Sequence, residues 1–146
     1  MALTKKNTKN AVLGKTQLLS AIAASAMLKP EAVPIEELDA TIYVKRMTIG
    51  ERDEYFAQMK EVPTEQGTSY GNAVAFTLAV VDEQGAYLFA DETGEHLATA
   101  DDIKAVQKLP PALIHKALDK FYEVNRFIKS NAKNAQDDAD GELKNS

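Results

Sequence analysis

The chain has 146 residues, of which 45% are hydrophobic and 27% charged, and it contains neither cysteine nor tryptophan. These values are typical of one globular domain, and the lack of cysteine excludes disulfides, thiolate nucleophiles and cysteine-based metal sites. The formal charge of −5 is unevenly distributed, because residues 1–15 carry four lysines while residues 16–128 carry a net charge of −8. Since nucleic-acid binding requires a basic surface, the acidic body argues against a nucleic-acid partner.

The N-terminal quarter is predicted to contain one helix between two irregular segments. Residues 1–14 are predicted to be a disordered, basic N-terminus. A helix is predicted over Thr16–Leu28, with Thr16 as its cap and Pro30 after its end. Its apolar stripe consists of Leu18, Leu19, Ile22, Ala26 and Met27. The longest mainly apolar run, Leu18–Leu28, is too short to span a bilayer. We therefore expect a cytoplasmic protein without a membrane partner. The next segment, Lys29–Asp39, contains two prolines and is predicted to be an extended connector.

The clearest local signal is a strand that turns directly into a capped helix. A strand is predicted at about 40–47, where β-branched and aromatic residues are concentrated. Thr48 and Glu51 then match the T-x-x-E pattern of a capping box and predict a helix over Ile49–Lys60. The apolar face of this helix is predicted from helical spacing to consist of Ile49, Phe56 and Met59.

The middle of the chain gives a weaker signal. Val62–Gly71 contains one proline and two glycines among polar residues and is predicted to be a loop. In residues 72–81 the large side chains alternate with alanine and threonine, as in a strand, yet Val74, Leu78 and Val81 also lie at helical spacing. Periodicity leaves both alternatives open for this segment.

The C-terminal third is predicted to contain a turn and two helices. Asp82–Gly85 is predicted to be a turn, followed by a short extended piece at 86–89. Thr99 and Asp102 indicate the start of a short helix, and the final helix is predicted from about Pro110 to Ile128. Its apolar rows are Leu113, Ala117, Phe121, Val124 and Ile128, widened by Ile114, Leu118 and Tyr122.

Together these elements predict an α+β fold that is mainly α-helical. A small β element at about 40–47, with 86–89 as a second candidate piece, is expected to pack against four or five helices. A single globular domain is predicted over residues 15–128. Residues 129–146 are predicted to form a polar, flexible tail or linker.

No motif in the chain predicts catalysis. Gly14-Lys15-Thr16 matches the end of a phosphate-binding loop, but the first glycine and the preceding strand are missing. His96 and His115 have no second ligand at helical spacing, so no zinc site is expected, and His115 is predicted to be exposed on a helix. The acidic pairs fall at turns and helix starts, where carboxylates cap N–H groups. We therefore expect no catalytic residue, no cofactor and no metal, and we do not expect an enzyme.

Three stretches occur in an informative order: the strand–helix unit Tyr43–Tyr55, the segment Ala79–Asp91 and the helix start Leu109–Phe121, before a polar tail. This order resembles that of the tail assembly chaperones of long-tailed, siphovirus-like bacteriophages and prophages. The resemblance covers roughly residues 15–130. It departs from the family before the strand, where Ile35–Ala40 replaces an aromatic-glycine turn that is often found there.

The resemblance implies a non-catalytic protein that binds the long, hydrophobic, helix-rich tape-measure protein, keeps it soluble and helps to recruit tail-tube subunits. It implies a place in the host cytoplasm and absence from the mature virion. It also favours a helix for residues 72–81, which we adopt. In this family a ribosomal frameshift often gives a longer product, and Leu143-Lys144-Asn145 is compatible with a slippery A AAA AAC run. A frameshifted longer form of the protein is therefore another candidate partner, and a homo-oligomer is left open.

Capture of a tape-measure helix requires an apolar groove, typically lined by methionine, leucine and aromatic residues. The candidates for such a lining are Met27, Met47, Phe56, Met59, Phe121 and Tyr122, and the alternative for each is a place in the core. We predict that Phe56, Met59, Phe121 and Tyr122 bind the partner.

Two other functions stay open. One is a small structural tail protein, a tube or completion subunit, that is retained in the virion. The other is a regulatory nucleic-acid binder that uses the basic N-terminus.

Overall fold

In a computed structural model, residues 12–127 are described, and they form five α-helices and one three-stranded antiparallel sheet. The predicted α+β, mainly helical fold is confirmed. The helices are α1 (Lys15–Ala24), α2 (Ile49–Lys60), α3 (Thr68–Ala79), α4 (Ala100–Gln107) and α5 (Pro111–Val124). The strands are β1 (Glu31–Ile35), β2 (Ala40–Val44) and β3 (Val80–Val81), in the order β1-β2-β3. The predictions for residues 1–11 and 128–146 lie outside the described residues.

The predicted capping box and the helix Ile49–Lys60 are confirmed, whereas the strand predicted at about 40–47 is shorter, because β2 ends at Val44. The Glu51 backbone N–H donates to the Thr48 hydroxyl at 3.1 Å, and the Thr48 N–H donates to the Glu51 carboxylate at 2.9 Å. This capping box satisfies two N–H groups that the first turn would leave unpaired. The predicted apolar face is only partly right, because Ile49 is exposed and Tyr55 is the one buried residue of α2.

The segment predicted as an extended connector contains an unpredicted strand, β1. It pairs with β2 in antiparallel register, with Val33 opposite Ile42 and Ile35 opposite Ala40. The two strands are joined through a 3-10 turn, Glu36–Leu38. The strand was not predicted because Pro34 lies within it and proline argues against a strand. Proline has no N–H, but it is tolerated here because β1 is an edge strand.

The predicted loop at Val62–Gly71 is wrong over its second half. A 3-10 turn at Thr64–Gln66 is followed by α3, which begins at Thr68 and includes Gly71. Gly67 precedes the helix with a φ of 87°, a backbone conformation that glycine adopts without steric cost. Residues 72–79 are helical, as adopted, whereas 80–81 leave the helix and pair with β2.

The remaining boundaries differ by a few residues from the predictions. α1 is preceded by Gly14, not capped by Thr16, and it ends at Ala24. α5 ends at Val124, before the predicted Ile128. The piece at 86–89 forms no named strand, because its contact with the sheet is one isolated bridge between Val81 and Tyr87. The helix predicted from the Thr99 and Asp102 capping box is confirmed as α4.

One hydrophobic core joins the sheet to the helices. α5 packs against β1 and β2 on one side and against α3 on another, and α3 also packs against α4. Phe121 of α5 and Leu78 of α3 are among the largest side chains that are fully buried. The apolar faces of α3 and α5 are therefore largely buried in this core. A binding surface for a partner must be sought among the apolar residues that lie outside it.

Candidate partner-binding surface

Of the four residues predicted to bind a partner, Phe56, Phe121 and Tyr122 lie where α2 meets the end of α5, and Met59 lies on α2. Phe121 is fully buried in the core, so a partner cannot reach it in this structure. Phe56, Met59 and Tyr122 are partly buried and pack against the core. Binding of a partner through these three residues stays a prediction. For Phe121 the structure shows the alternative, a position in the hydrophobic core.

An aromatic cluster, defined by Tyr55, Phe56, Phe121, Tyr122 and Phe127, holds α2 against α5. The ring centroids of Tyr55 lie 5.3 Å from Phe121 and 5.5 Å from Phe127, and the hydroxyls of Tyr55 and Tyr122 lie 3.2 Å apart. Burial, with the neighbouring Tyr122 hydroxyl, raises the pKa of Tyr55 well above its ordinary value. The Tyr55 hydroxyl is therefore a neutral hydrogen-bonding group near pH 7.

Sequence reasoning missed Phe127, which completes the aromatic cluster. The chain leaves α5 through Asn125 and then Arg126, whose φ is 63°. This turn directs Phe127 back onto Phe56, at a ring-centroid distance of 5.0 Å. The only sequence signal is a phenylalanine three residues beyond Val124, which helical periodicity does not place in the core.

The Asn125 side chain ties the end of α5 to the connection between β2 and α2. Its Oδ1 accepts from the Met47 backbone N–H at 2.7 Å. Its Nδ2 donates to the Lys45 carbonyl at 2.8 Å and to the Phe121 carbonyl at 2.9 Å. A single amide thus satisfies one backbone donor and two acceptors at the point where both helices converge.

The most exposed apolar element is α1, which has no buried residue. Leu18 is 47% exposed and Leu19 is 61% exposed. Further large apolar residues that are exposed on either side of the helix are Val12, Leu13, Met27 and Leu28. A ten-residue helix is too short to be stable alone in water, because nucleation is costly and packing normally supplies most helical stability. We call these six exposed residues the α1 surface.

A second apolar feature lies between the β1–β2 connection and the start of α5. It is a surface cavity of about 230 Å³. Its apolar lining comes from Ile35, Leu38, Leu109, Pro110, Ala112 and Leu113. Leu38 is exposed at the edge of this cavity. Apolar side chains with an open face of this kind accept apolar side chains of a partner.

A second cavity, also about 230 Å³, lies where the turn after α1 meets the start of α2 and the end of α5. We call it the arginine groove because Arg46, Arg52 and Arg126 line it. Its apolar lining consists of Met27, Met47, Ile49, Val124 and Phe127. Met27 and Ile49 are 63% and 79% exposed.

His96 forms a side-chain hydrogen bond with Thr77 of α3. The Thr77 hydroxyl is fully buried and donates to the Val74 carbonyl at 2.7 Å. Its oxygen therefore accepts from His96 Nε2–H at 3.1 Å, which fixes the neutral tautomer through the hydrogen-bond network. Burial lowers the pKa of His96, in keeping with a neutral ring. His115 is exposed on α5, as predicted.

Within residues 12–127, no group of three or more histidine, aspartate and glutamate side chains is placed to hold a metal ion. No helix in this part of the chain is long and apolar enough to cross a membrane. Comparisons with family models, with curated proteins and with solved structures give no match to this chain. The functional argument therefore depends on the surfaces described above and on the order of the sequence elements.

Proposed function

We propose that this protein is a phage tail assembly chaperone that acts in the host cytoplasm. In this role it binds the tape-measure protein, keeps it soluble and helps to recruit tail-tube subunits. The role requires binding without catalysis. The observation that carries the proposal is the α1 surface, six exposed apolar side chains on and beside a helix that has no buried residue.

The α1 surface suits a helical and mainly apolar partner. Residues 12–30 contain no acidic residue and only two lysines, Lys15 and Lys29. Leu18 and Leu19 of α1 can pack against the apolar face of another helix, and Met27, which follows the helix, adapts to partners of different shape. A long helical protein that exposes apolar surface before assembly has the matching chemistry.

Packing against such a partner also accounts for the stability of α1. Burying a large apolar side chain contributes about 1.5–3 kcal/mol relative to full exposure. Leu18 and Leu19 are each about half exposed, so their further burial contributes on the order of 1 kcal/mol each. Contributions of this size, repeated along the α1 surface, offset the cost of nucleating a short helix.

Co-expression with the product of the gene immediately downstream tests this function. The proposal predicts that a very long helical protein, insoluble when expressed alone, becomes soluble and co-purifies with this chain. Failure to rescue such a protein, together with no detectable complex, would contradict the proposal. Mass spectrometry of purified virions separates the chaperone from a structural tail protein, because the chaperone is absent from the finished particle.

A further inference from the structure

The cavity between the β1–β2 connection and the start of α5, here called the Leu38 cavity, is an apolar site with an acidic edge. The connection beside it contributes Glu36, Glu37 and Asp39, of which Glu37 belongs to the cavity lining. None of these three carboxylates has an ion-pair partner within residues 12–127. Among the described residues that line the cavity, Lys116 is the one basic residue. Three carboxylates against one ammonium group leave the edge of the cavity acidic.

The size of the Leu38 cavity suits leucine side chains. Its volume of about 230 Å³ exceeds the roughly 150 Å³ of an engineered apolar cavity that holds a benzene molecule. One or two leucine side chains therefore fit against Leu38, which is 61% exposed, and Leu113. The matching occupant is a segment that combines exposed leucines with a basic residue and has no acidic residue.

The helix α1 has this chemistry on one face. Lys15, Leu18, Leu19 and Ile22 follow the i, i+3, i+4, i+7 spacing that places side chains on the same side of a helix. Both leucines are exposed, and Lys15 has no ion-pair partner among the described residues. Residues 12–30 contain no acidic residue, so nothing in this segment repels the carboxylates beside the Leu38 cavity.

The end of α1 and the Leu38 cavity lie at opposite ends of α5. Met27, which follows α1, lines the arginine groove together with Val124 at the end of α5, whereas Leu113 near its start lines the Leu38 cavity. A helix of fourteen residues is about 21 Å long. The turn after α1 is held by the Ser25 hydroxyl, which donates to the Ile22 carbonyl and accepts from the Met27 N–H. Docking of α1 in the cavity of its own molecule would therefore require this turn to open.

We infer that two copies of this chain form a dimer in which α1 of each copy docks in the Leu38 cavity of the other. When two α5 helices lie antiparallel about a two-fold axis, the end of each that is next to α1 lies beside the cavity end of the other. Both contacts then form together, and the assembly closes as a dimer. The two leucines of α1 cover Leu38, and Lys15 faces Glu37.

The dimer depends on these contacts alone and does not require the chaperone function. A helical partner that binds the α1 surface competes with the second copy for the same leucines. The dimer therefore keeps the α1 surface covered until that partner is present.

Sedimentation equilibrium of the full chain, from micromolar to millimolar concentration, tests this dimer. We expect a reversible increase in mass from 15.9 kDa to twice that value as the concentration rises. Leu38→Lys should raise the dissociation constant of the dimer by about thirtyfold, because both cavities lose an apolar contact and gain a charge that repels Lys15. Leu88→Lys is the matched control, since Leu88 is 55% exposed and lies outside α1 and the Leu38 cavity, and it should leave the dimer unchanged.

An exchange of charge between two variants shows which surfaces meet. Lys15→Glu and Glu37→Lys each place like charges at both contacts, so each variant alone should dimerise about tenfold more weakly than the unchanged chain. An equimolar mixture of the two variants should restore the dimer, because every contact between the two different chains then joins opposite charges. Both residues are exposed, so neither substitution disturbs the core.

The dimer is overturned if the chain stays monomeric up to millimolar concentration, or if Leu38→Lys dimerises as well as Leu88→Lys. It is also overturned if the mixture of charge variants associates no more strongly than each variant alone. Assemblies larger than a dimer would show open head-to-tail contacts and would contradict the two-fold arrangement. Leu38→Lys keeps the α1 surface intact and should still bind the downstream gene product, so failure of the dimer is distinguished from failure of the chaperone function.

Discussion

Replacing Asn125 with alanine should destabilise the domain more than its partly exposed position suggests. The change removes one acceptor and two donor contacts, to the Met47 N–H and to the Lys45 and Phe121 carbonyls. Each such bond contributes about 0.5–1.5 kcal/mol net, and an unsatisfied backbone group costs more where water is excluded. Because Asn125 is half-buried, water replaces part of the loss, and we expect Asn125→Ala to lower the free energy of unfolding by about 2–4 kcal/mol.

Urea unfolding followed by far-ultraviolet circular dichroism measures this effect. Asn72→Ala is the matched control, because Asn72 is also half-buried, on α3, and its side chain has no hydrogen bond among those found in residues 12–127. Alanine favours a helix, so the control should change stability by less than about 0.5 kcal/mol. If Asn125→Ala is no less stable than Asn72→Ala, the assigned role of this side chain is refuted.

Three further predictions concern stability. Thr48→Ala removes the cap of α2 and should cost about 1 kcal/mol in urea unfolding, whereas equal stability would contradict the capping box. Phe127→Ala should cost about 3–5 kcal/mol, because it removes the ring that completes the aromatic cluster; a cost below about 1 kcal/mol would show that this ring is not packed. The pKa of His96 is lowered by burial, so the unfolded state binds the proton more readily. His96 should therefore contribute stability above its unfolded pKa of about 6.5 and lose it as pH falls through the lower folded pKa, a dependence that His96→Gln should reduce in urea unfolding at several pH values.

Local chemistry accounts for the parts of the fold that the sequence predicted well. The capping boxes at Thr48 and Thr99 each involve residues three positions apart, so their patterns specify where α2 and α4 begin. Strand pairing between segments that are distant in sequence is harder to predict from local patterns. β1 was missed because Pro34 argues against a strand, and only its position at the edge of the sheet makes the pairing possible.

The surface was harder to predict than the fold. Helical periodicity shows that α5 has an apolar face, but it does not show which element covers that face. Phe121 is covered by α2 and by Phe127, whereas Leu18 and Leu19 stay exposed on α1. Both helices have leucine-rich apolar patterns, so the difference depends on contacts between distant segments, which no local pattern specifies.

The central claim is that the α1 surface binds an apolar helical partner. The most direct test is the dissociation constant between this chain and the downstream gene product, measured for Leu18→Gln with Leu19→Gln. Glutamine keeps a helix propensity close to that of leucine, so α1 itself is preserved. The matched control is Leu88→Gln with Leu97→Gln, because these leucines are 55% and 57% exposed and lie outside α1.

Loss of two half-exposed leucines from a buried contact removes about 2–3 kcal/mol. The account predicts that the dissociation constant of the α1 variant rises by about 30-fold to 150-fold, while the control stays near the unchanged protein. Equal binding by the α1 variant and the control would contradict the account.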